Sequence, residues 1–187
     1  MAESQDTRSK LDLDGDRVSP GIEQAIDTAR AIFQASGCSQ IVAERVSRHR
    51  VDADLCGVES HGLMRTLQYA QQFADGTLNA AATAEVIARD SGVTEVNGNG
   101  GIGIPAMDLA VDVACRQSAD TGMSVLAIRD VGHTGRLGEF TERAAQSGHL
   151  AIVVGGGGRE KWRQVAPHGG RQALLPTNPY SIGIRLT

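Results

Sequence analysis

The spacing of apolar positions changes partway along the chain. Ile22, Ile26, Ala29, Ile32 and Phe33 recur at helical intervals. Ser19-Pro20 supplies a start and Gly37 a stop, which predicts a first helix. Ser39 opens a second, with Ile41, Val42, Val46 and Val51 or Leu55 along it. Ser60 is placed to cap a third, running through Leu63, Leu67 and Phe73 to Gly76. The chain up to Gly76 therefore reads as helical.

Beyond Gly76 the period shortens. Ala84–Arg89 and Val93–Val96 flank Asp90-Ser91-Gly92, the pattern of a β-hairpin. A glycine cluster spans Asn97 to Gly103. A helix is predicted from Pro105 to Ala119, with Met107, Ala110, Val111 and Ala114 inward. The short β-branched run Met123–Ile128 predicts a buried strand. A helix over Leu137–Gln146 and a second run, Leu150–Val154, complete a β-α-β pattern. Gly155–Gly158 reads as a flexible loop and Pro167–Pro179 as irregular. Tyr180–Leu186 alternates like a strand, and Thr187 follows it directly. That ending is expected of an incomplete domain. The expected organisation is a tail over 1–18, a helical segment over 19–78 and an α/β region over 79–187 whose cofactor part is truncated.

Composition adds exclusions. The 187 residues are 41% hydrophobic and 21% charged, with a net charge of -4. Such a balance gives no electrostatic footprint for nucleic acid or a membrane surface. No run approaches the ~18 apolar residues of a membrane span. Met1 to Asp16 is polar, lacks the apolar core of a secretory signal and reads as a frayed tail. Cys38, Cys56 and Cys115 have no C-x-x-C spacing. They read as free thiols of a reducing cytoplasm, small and buried.

Gly98-Asn99-Gly100-Gly101-Ile102-Gly103 matches the G-x-G-x-x-G dinucleotide pattern, and Asp130 follows the next apolar run. Glycines there let backbone approach a pyrophosphate at a helix N-terminus. The preceding strand is predicted to pair in a hairpin, however, which is not how a Rossmann unit begins. A plain turn, or a loop lining some other site, competes with that reading.

Two histidine motifs carry chemistry. In Glu59-Ser60-His61-Gly62-Leu63-Met64-Arg65, a helix capped by Ser60 would put His61 and Arg65 on one face. Arginine offers a planar fork suited to a carboxylate. A surface arginine beside a helix-start histidine is the plainer alternative. In Gly132-His133-Thr134-Gly135-Arg136-Leu137-Gly138, His133 follows an apolar strand, where open α/β sheets place their chemistry. Imidazole exchanges protons near neutral pH, as alcohol oxidation requires. A histidine satisfied within a turn would look the same. His49 and His149 read as exposed or helix-end residues, and His168 as ambiguous. No histidine pair at i, i+4 accompanies a carboxylate as a zinc site needs.

Taken in order, these segments resemble the type-2 malate/L-lactate dehydrogenases. The resemblance rests on E-S-H-G-L-M-R at 59–65, the hairpin with V-N-G-N-G-G-I-G, G-H-T-G-R-L-G at 132–138, and V-A-P-H-G-G with P-T-N-P at 165–179. It covers residues 20 to 187. It implies a three-layer α/β fold around a mixed sheet, distinct from the Rossmann fold and preceded by the helical segment, and it implies a homodimer. It implies hydride exchange between NAD or NADP and a small 2-hydroxy or 2-oxo acid. Carried over by position, His133 is the implied acid/base. Arg65, with Ser60, is the implied substrate contact. His61, Leu137, Gly138 and Glu139 are the implied cofactor contacts, and the glycine cluster becomes a turn.

The chain also departs from the family. Its members are nearly twice as long. The family often has an asparagine-rich loop at Gly155–Gly158 and an arginine where Cys56 stands. A truncated, inactive relative that binds or dimerises is the competing expectation.

Overall fold

A computed structural model describes residues 18–87, 93–157 and 164–186. Helix α1 (Ile22–Ala35) starts after Gly21, two residues beyond the predicted Ser19-Pro20 start, and buries Ala25, Ile26, Ala29 and Phe33. Ser39 caps helix α2 (Gln40–Leu55) by accepting from the Val42 N–H at 3.3 Å. Ile41 and Leu55 face solvent, while Ser47, His49 and Arg50 are buried beside Val46 and Ala53. Helix α2 thus turns polar side chains inward.

The third helix differs from its prediction. Glu59–His61 forms a 3-10 turn, and α3 (Arg65–Ala74) begins only at Arg65. Ser60 does not cap it. The Asp54 carboxylate accepts the Leu63 N–H at 2.9 Å, which bends the chain between turn and helix. Gly62 packs directly on that carboxylate, where a Cβ would overlap it.

Strand β1 (Glu85–Ile87) pairs antiparallel with β2 (Thr94–Gly101), as the hairpin predicts. Its turn, Asp90-Ser91-Gly92, lies outside the described residues, as do the tail Met1–Asp16, Gly158 and Thr187. Helix α4 (Gly103–Thr121) then crosses over to β3 (Leu126–Val131), which lies parallel to β2. Helix α5 (Leu137–Gln146) matches its prediction and leads to β4 (Ala151–Val154), which pairs antiparallel with β5 (Tyr180–Gly183). Phe33, Tyr69, Ile104, Met107 and Phe140 form the main core between the helical layer and the α/β part. The α/β class with a mixed sheet is what the structure contains.

Three expectations are corrected here. The cluster from Gly98 to Gly101 is not a turn but the end of β2, with an irregular register against β3. The β2–α4–β3 unit is parallel, as a Rossmann reading needs, yet β2 also pairs antiparallel with β1. Its glycines are closed by protein as well. A Cβ on Gly98 would overlap Val131, and one on Gly103 would lie 2.7 Å from Thr134 Cγ2 and 2.9 Å from the Gly132 carbonyl. They serve close backbone packing, not approach to a pyrophosphate. Second, β3 begins at Leu126 rather than Met123, and Met123 and Val125 are exposed. Third, β3 and β4 belong to different sheets among the described residues, so β3–α5–β4 is not a parallel unit. The runs were apolar on both faces, but only one face is covered. Ala151 and Val153 pack on the core, whereas Ile152, Val154, Tyr180 and Ile182 face out.

Ion pairs tie α2, α4 and α5 together. Arg45 bridges Asp108 at 2.6 Å and Glu139 at 2.8 Å, and Arg143 also reaches Asp108 at 2.7 Å. Burial acts to raise the Glu139 carboxyl, but His49 and Arg45 outweigh it and bring it down to about 2. A carboxylate with a lowered native pKa contributes stability above its ordinary value, and that contribution disappears as pH falls through the native one. Urea midpoints should therefore drop between pH 4.5 and 2, and Glu139→Gln should flatten that part of the curve. Gly103→Ala should cost about 1–3 kcal/mol by overpacking, read in the same urea titration.

Candidate active site

The segment after β3 is shaped by backbone hydrogen bonds. The Gly132 N–H donates to the Gly101 carbonyl at 2.7 Å, and the Gly103 N–H at the start of α4 donates to the His133 carbonyl at 3.1 Å. The N-terminus of α4 thus satisfies one of its free donors on the histidine's own peptide. Gly135 has a φ of +78°, a conformation that suits glycine. Its N–H folds back to His133 Nδ1 at 3.2 Å. The Tyr69 hydroxyl of α3 meets the same nitrogen at 2.5 Å. His133 is half-buried, and its ring lies 5.0 Å from that of His61, centroid to centroid.

His49 is fully buried rather than exposed at a helix end, which corrects its sequence reading. Its Nε2 accepts the Arg136 N–H at 2.9 Å, so it caps α5 from another helix. Its Nδ1 contacts Glu139, and its ring stacks on Phe140 at 5.3 Å. Burial drives it toward the neutral form, which is the form that can accept from Arg136. Gly135 packs against this ring so closely that a Cβ would overlap it. The helical period held the signal: Val46, His49, Arg50 and Ala53 share one face of α2.

Arg50 is also fully buried and was missed for the same reason. Its Nη1 donates to Tyr69 Oη at 3.0 Å, and its guanidinium lies 5.2 Å from the centre of the Tyr69 ring. Its Nε and Nη2 have no hydrogen-bond partner among the described residues.

Arg65 does not share a helix turn with His61 as expected. It opens α3, and its Nε donates to the Ser60 carbonyl at 2.7 Å while Nη1 donates to Gln68 at 2.6 Å. Ser60 Oγ and His61 Nδ1 are 3.0 Å apart. The two motifs nonetheless meet. Burial, then the charges of Arg50, His61, Arg65 and His49, hold His133 well below the usual imidazole range. His61 is lowered by burial and by Arg65, Arg50 and His49. Imidazoles and guanidiniums are gathered here within electrostatic reach of one another.

His61, Gly132–Gly138 and the inner side of β4 line a cleft of about 1430 Å3. It exceeds the ~300–1,000 Å3 of typical small-ligand pockets. Leu137 and Gly138 line it; the Glu139 carboxylate is instead engaged with His49 and Arg45. Cys38 is buried, Cys115 half-buried and Cys56 exposed, the last against expectation. Among the described residues no helix is long and apolar enough to cross a membrane.

Known proteins resemble this chain in sequence and in fold. The chain is 33% identical over 153 residues to a Delta(1)-pyrroline-2-carboxylate/Delta(1)-piperideine-2-carboxylate reductase of Pseudomonas putida, covering 82% of this chain and 44% of that protein. It is 29% identical to an L-sulfolactate dehydrogenase of Methanothermobacter thermautotrophicus, covering 90% of this chain and 48% of that one. The solved malate dehydrogenase of Pyrococcus horikoshii superposes with a TM-score of 0.79 at 26% identity, over 94% of this chain and 49% of that one. The chain spans about half the length of the curated relatives it matches. The family model for malate/L-lactate dehydrogenase matches residues 21–186, and the chain belongs to that family.

Proposed function

We propose that this chain carries the acid–base and carboxylate-binding half of an oxidoreductase that exchanges hydride between NAD or NADP and a small 2-hydroxy or 2-oxo acid. The observation that carries the reading is the meeting of His133 and His61, from two separate elements, with rings 5.0 Å apart on one cleft; Arg65 is near enough to act on both by its charge. Arg65, with Ser60 beside it, holds the substrate carboxylate. His133 exchanges a proton with the oxygen on C2. His61, Leu137 and Gly138 contact the cofactor, and Glu139 supports that wall through His49 and Arg45. When bound, the nicotinamide supplies or accepts the hydride. Orientation by Arg65 and acid–base help from His133 each contribute several kcal/mol to such a step.

A non-catalytic binding or dimerising role is the second reading. The outward apolar side chains of β4 and β5 favour it, since such a face is ordinarily covered by polypeptide. Self-association through that face would make the chain a homodimer. One experiment separates the readings. NADH and NADPH are titrated into the chain, and turnover is followed on pyruvate, oxaloacetate and cyclic imino acids. Binding with turnover supports the enzyme; neither supports the fragment.

In an active preparation, His133→Ala should lower kcat by about 10²–10⁴-fold with little change in cofactor affinity. Arg65→Ala should raise KM by about 10–100-fold, the loss of a charge-assisted pair. Unchanged kinetics in either variant would remove that residue from the scheme.

A further inference from the structure

The wall of the cleft made by Gly135, Leu137 and Gly138 is held from behind by His49. Arg136 occupies the N-cap position of α5 but supplies no side-chain cap of its own, because its guanidinium turns to Asp52 and Glu142. Its backbone N–H is one of the donors that a helix start leaves without an intrahelical partner. That donor goes to His49 Nε2 of α2 at 2.9 Å. A neutral imidazole that accepts at Nε2 carries its hydrogen on Nδ1. Nδ1 is the atom in contact with the Glu139 carboxylate, further along the same helix. His49 therefore grips the start of α5 at two points, and the first of them needs a ring with no hydrogen on Nε2. The ring is fully buried, with Gly135 against it and Phe140 stacked on it.

We propose that His49 is the positioning residue of this wall, and that a second proton on its ring releases the start of α5. A doubly protonated ring carries N–H on both nitrogens. Its Nε2 hydrogen then points at the Arg136 N–H, donor against donor. Its charge also stands at the N-terminus of α5, the positive end of the helix dipole. The Glu139 carboxylate keeps its contact with Nδ1 in either state, so it opposes release without giving Arg136 an acceptor. Without the cap, the segment that carries Leu137 and Gly138 loses its anchor on α2. On the dehydrogenase reading above, a cofactor bound against Leu137 and Gly138 competes with that second proton, and the competition is reciprocal.

The groups around the ring set the direction of the effect. Arg45 and Arg50 stand beside it on α2, and Glu139 on α5. His61 acts on it from the 3-10 turn and His133 from the loop after β3. Arg136 and Asp52 pair at the same helix start. Burial, with Arg50 and Arg45, outweighs Glu139 and holds His49 below the usual imidazole range. A group lowered in this way is kept neutral by the latched state. The latch is therefore complete above pH 6.5 and weakens as pH falls through the native value. Glu139, brought down to about 2, stays ionised until well below that range.

Amide hydrogen exchange of the free 15N-labelled chain, followed by NMR from about pH 7.5 to about pH 5, tests the latch without turnover. The protection factor of the Arg136 amide should fall about tenfold, the worth of one hydrogen bond. The fall should share its midpoint with the titration of the His49 ring nitrogens, while core amides such as Phe33 keep their protection. His49→Gln retains an acceptor for Arg136 and cannot titrate, so its Arg136 amide should stay level over the same range. Level protection in the parent, a midpoint apart from that of His49, or an Nε2–H tautomer of His49 at about pH 7.5 overturns the latch. Those three are read on the parent chain, so they decide even where the variant fails to fold. An equal fall in His49→Gln overturns it as well. The dissociation constant of NADH should also rise about tenfold between the same limits in the parent and stay level in His49→Gln. An equal rise in both overturns the coupling to the cleft. A parent chain that binds no NADH at any pH counts against the dehydrogenase reading alone, and exchange at Arg136 still decides the latch.

Discussion

The 2.5 Å contact between Tyr69 Oη and His133 Nδ1 joins the two parts of this chain at the edge of the cleft. Tyr69 belongs to a helix of the N-terminal layer, and His133 to the loop that leaves a parallel strand. Neither side chain is positioned by its own element alone. The tyrosine is fully buried within the main core and accepts from Arg50. The histidine is fixed by Gly103, by Gly135 and by the tyrosine itself.

The same economy governs the rest of the loop. The glycines that imitate a dinucleotide fingerprint bring β2, the start of α4 and the loop around His133 within backbone hydrogen-bonding distance. His49 caps α5 from α2 and holds the loop from its other side. Arg136 adds its own clamp, reaching Asp52 at 2.8 Å and Glu142 at 2.9 Å. Close backbone packing thus does here what phosphate approach does in a Rossmann unit. That is why a matching glycine pattern does not mark a Rossmann unit here.

Much of this was legible in the sequence, and the rest was hidden for physical reasons. Helix α5 and the β1–β2 hairpin were readable because their apolar period and breakers were local. His133 and Arg65 stood out through their motifs. Helix α3 was misplaced because Asp54, nine positions upstream of Leu63, takes the N–H that a capped helix would have used. His49 and Arg50 were overlooked because polar residues on an apolar helical face are usually read as surface. Burial of that face is decided by tertiary packing, not by propensity. The strands β3 and β4 were expected to be covered on both sides, because apolar runs do not reveal which face will lack a neighbour.

The central claim is that one small acid is gripped by Arg65 and addressed by His133. A crystal structure of the chain soaked with NADH and oxamate, an unreactive analogue of a 2-oxo acid, tests it most directly. The account predicts the oxamate carboxylate on the Arg65 guanidinium and its carbonyl oxygen within hydrogen-bond distance of His133 Nε2. Oxamate bound elsewhere, or bound with its carbonyl turned away from His133, would contradict it.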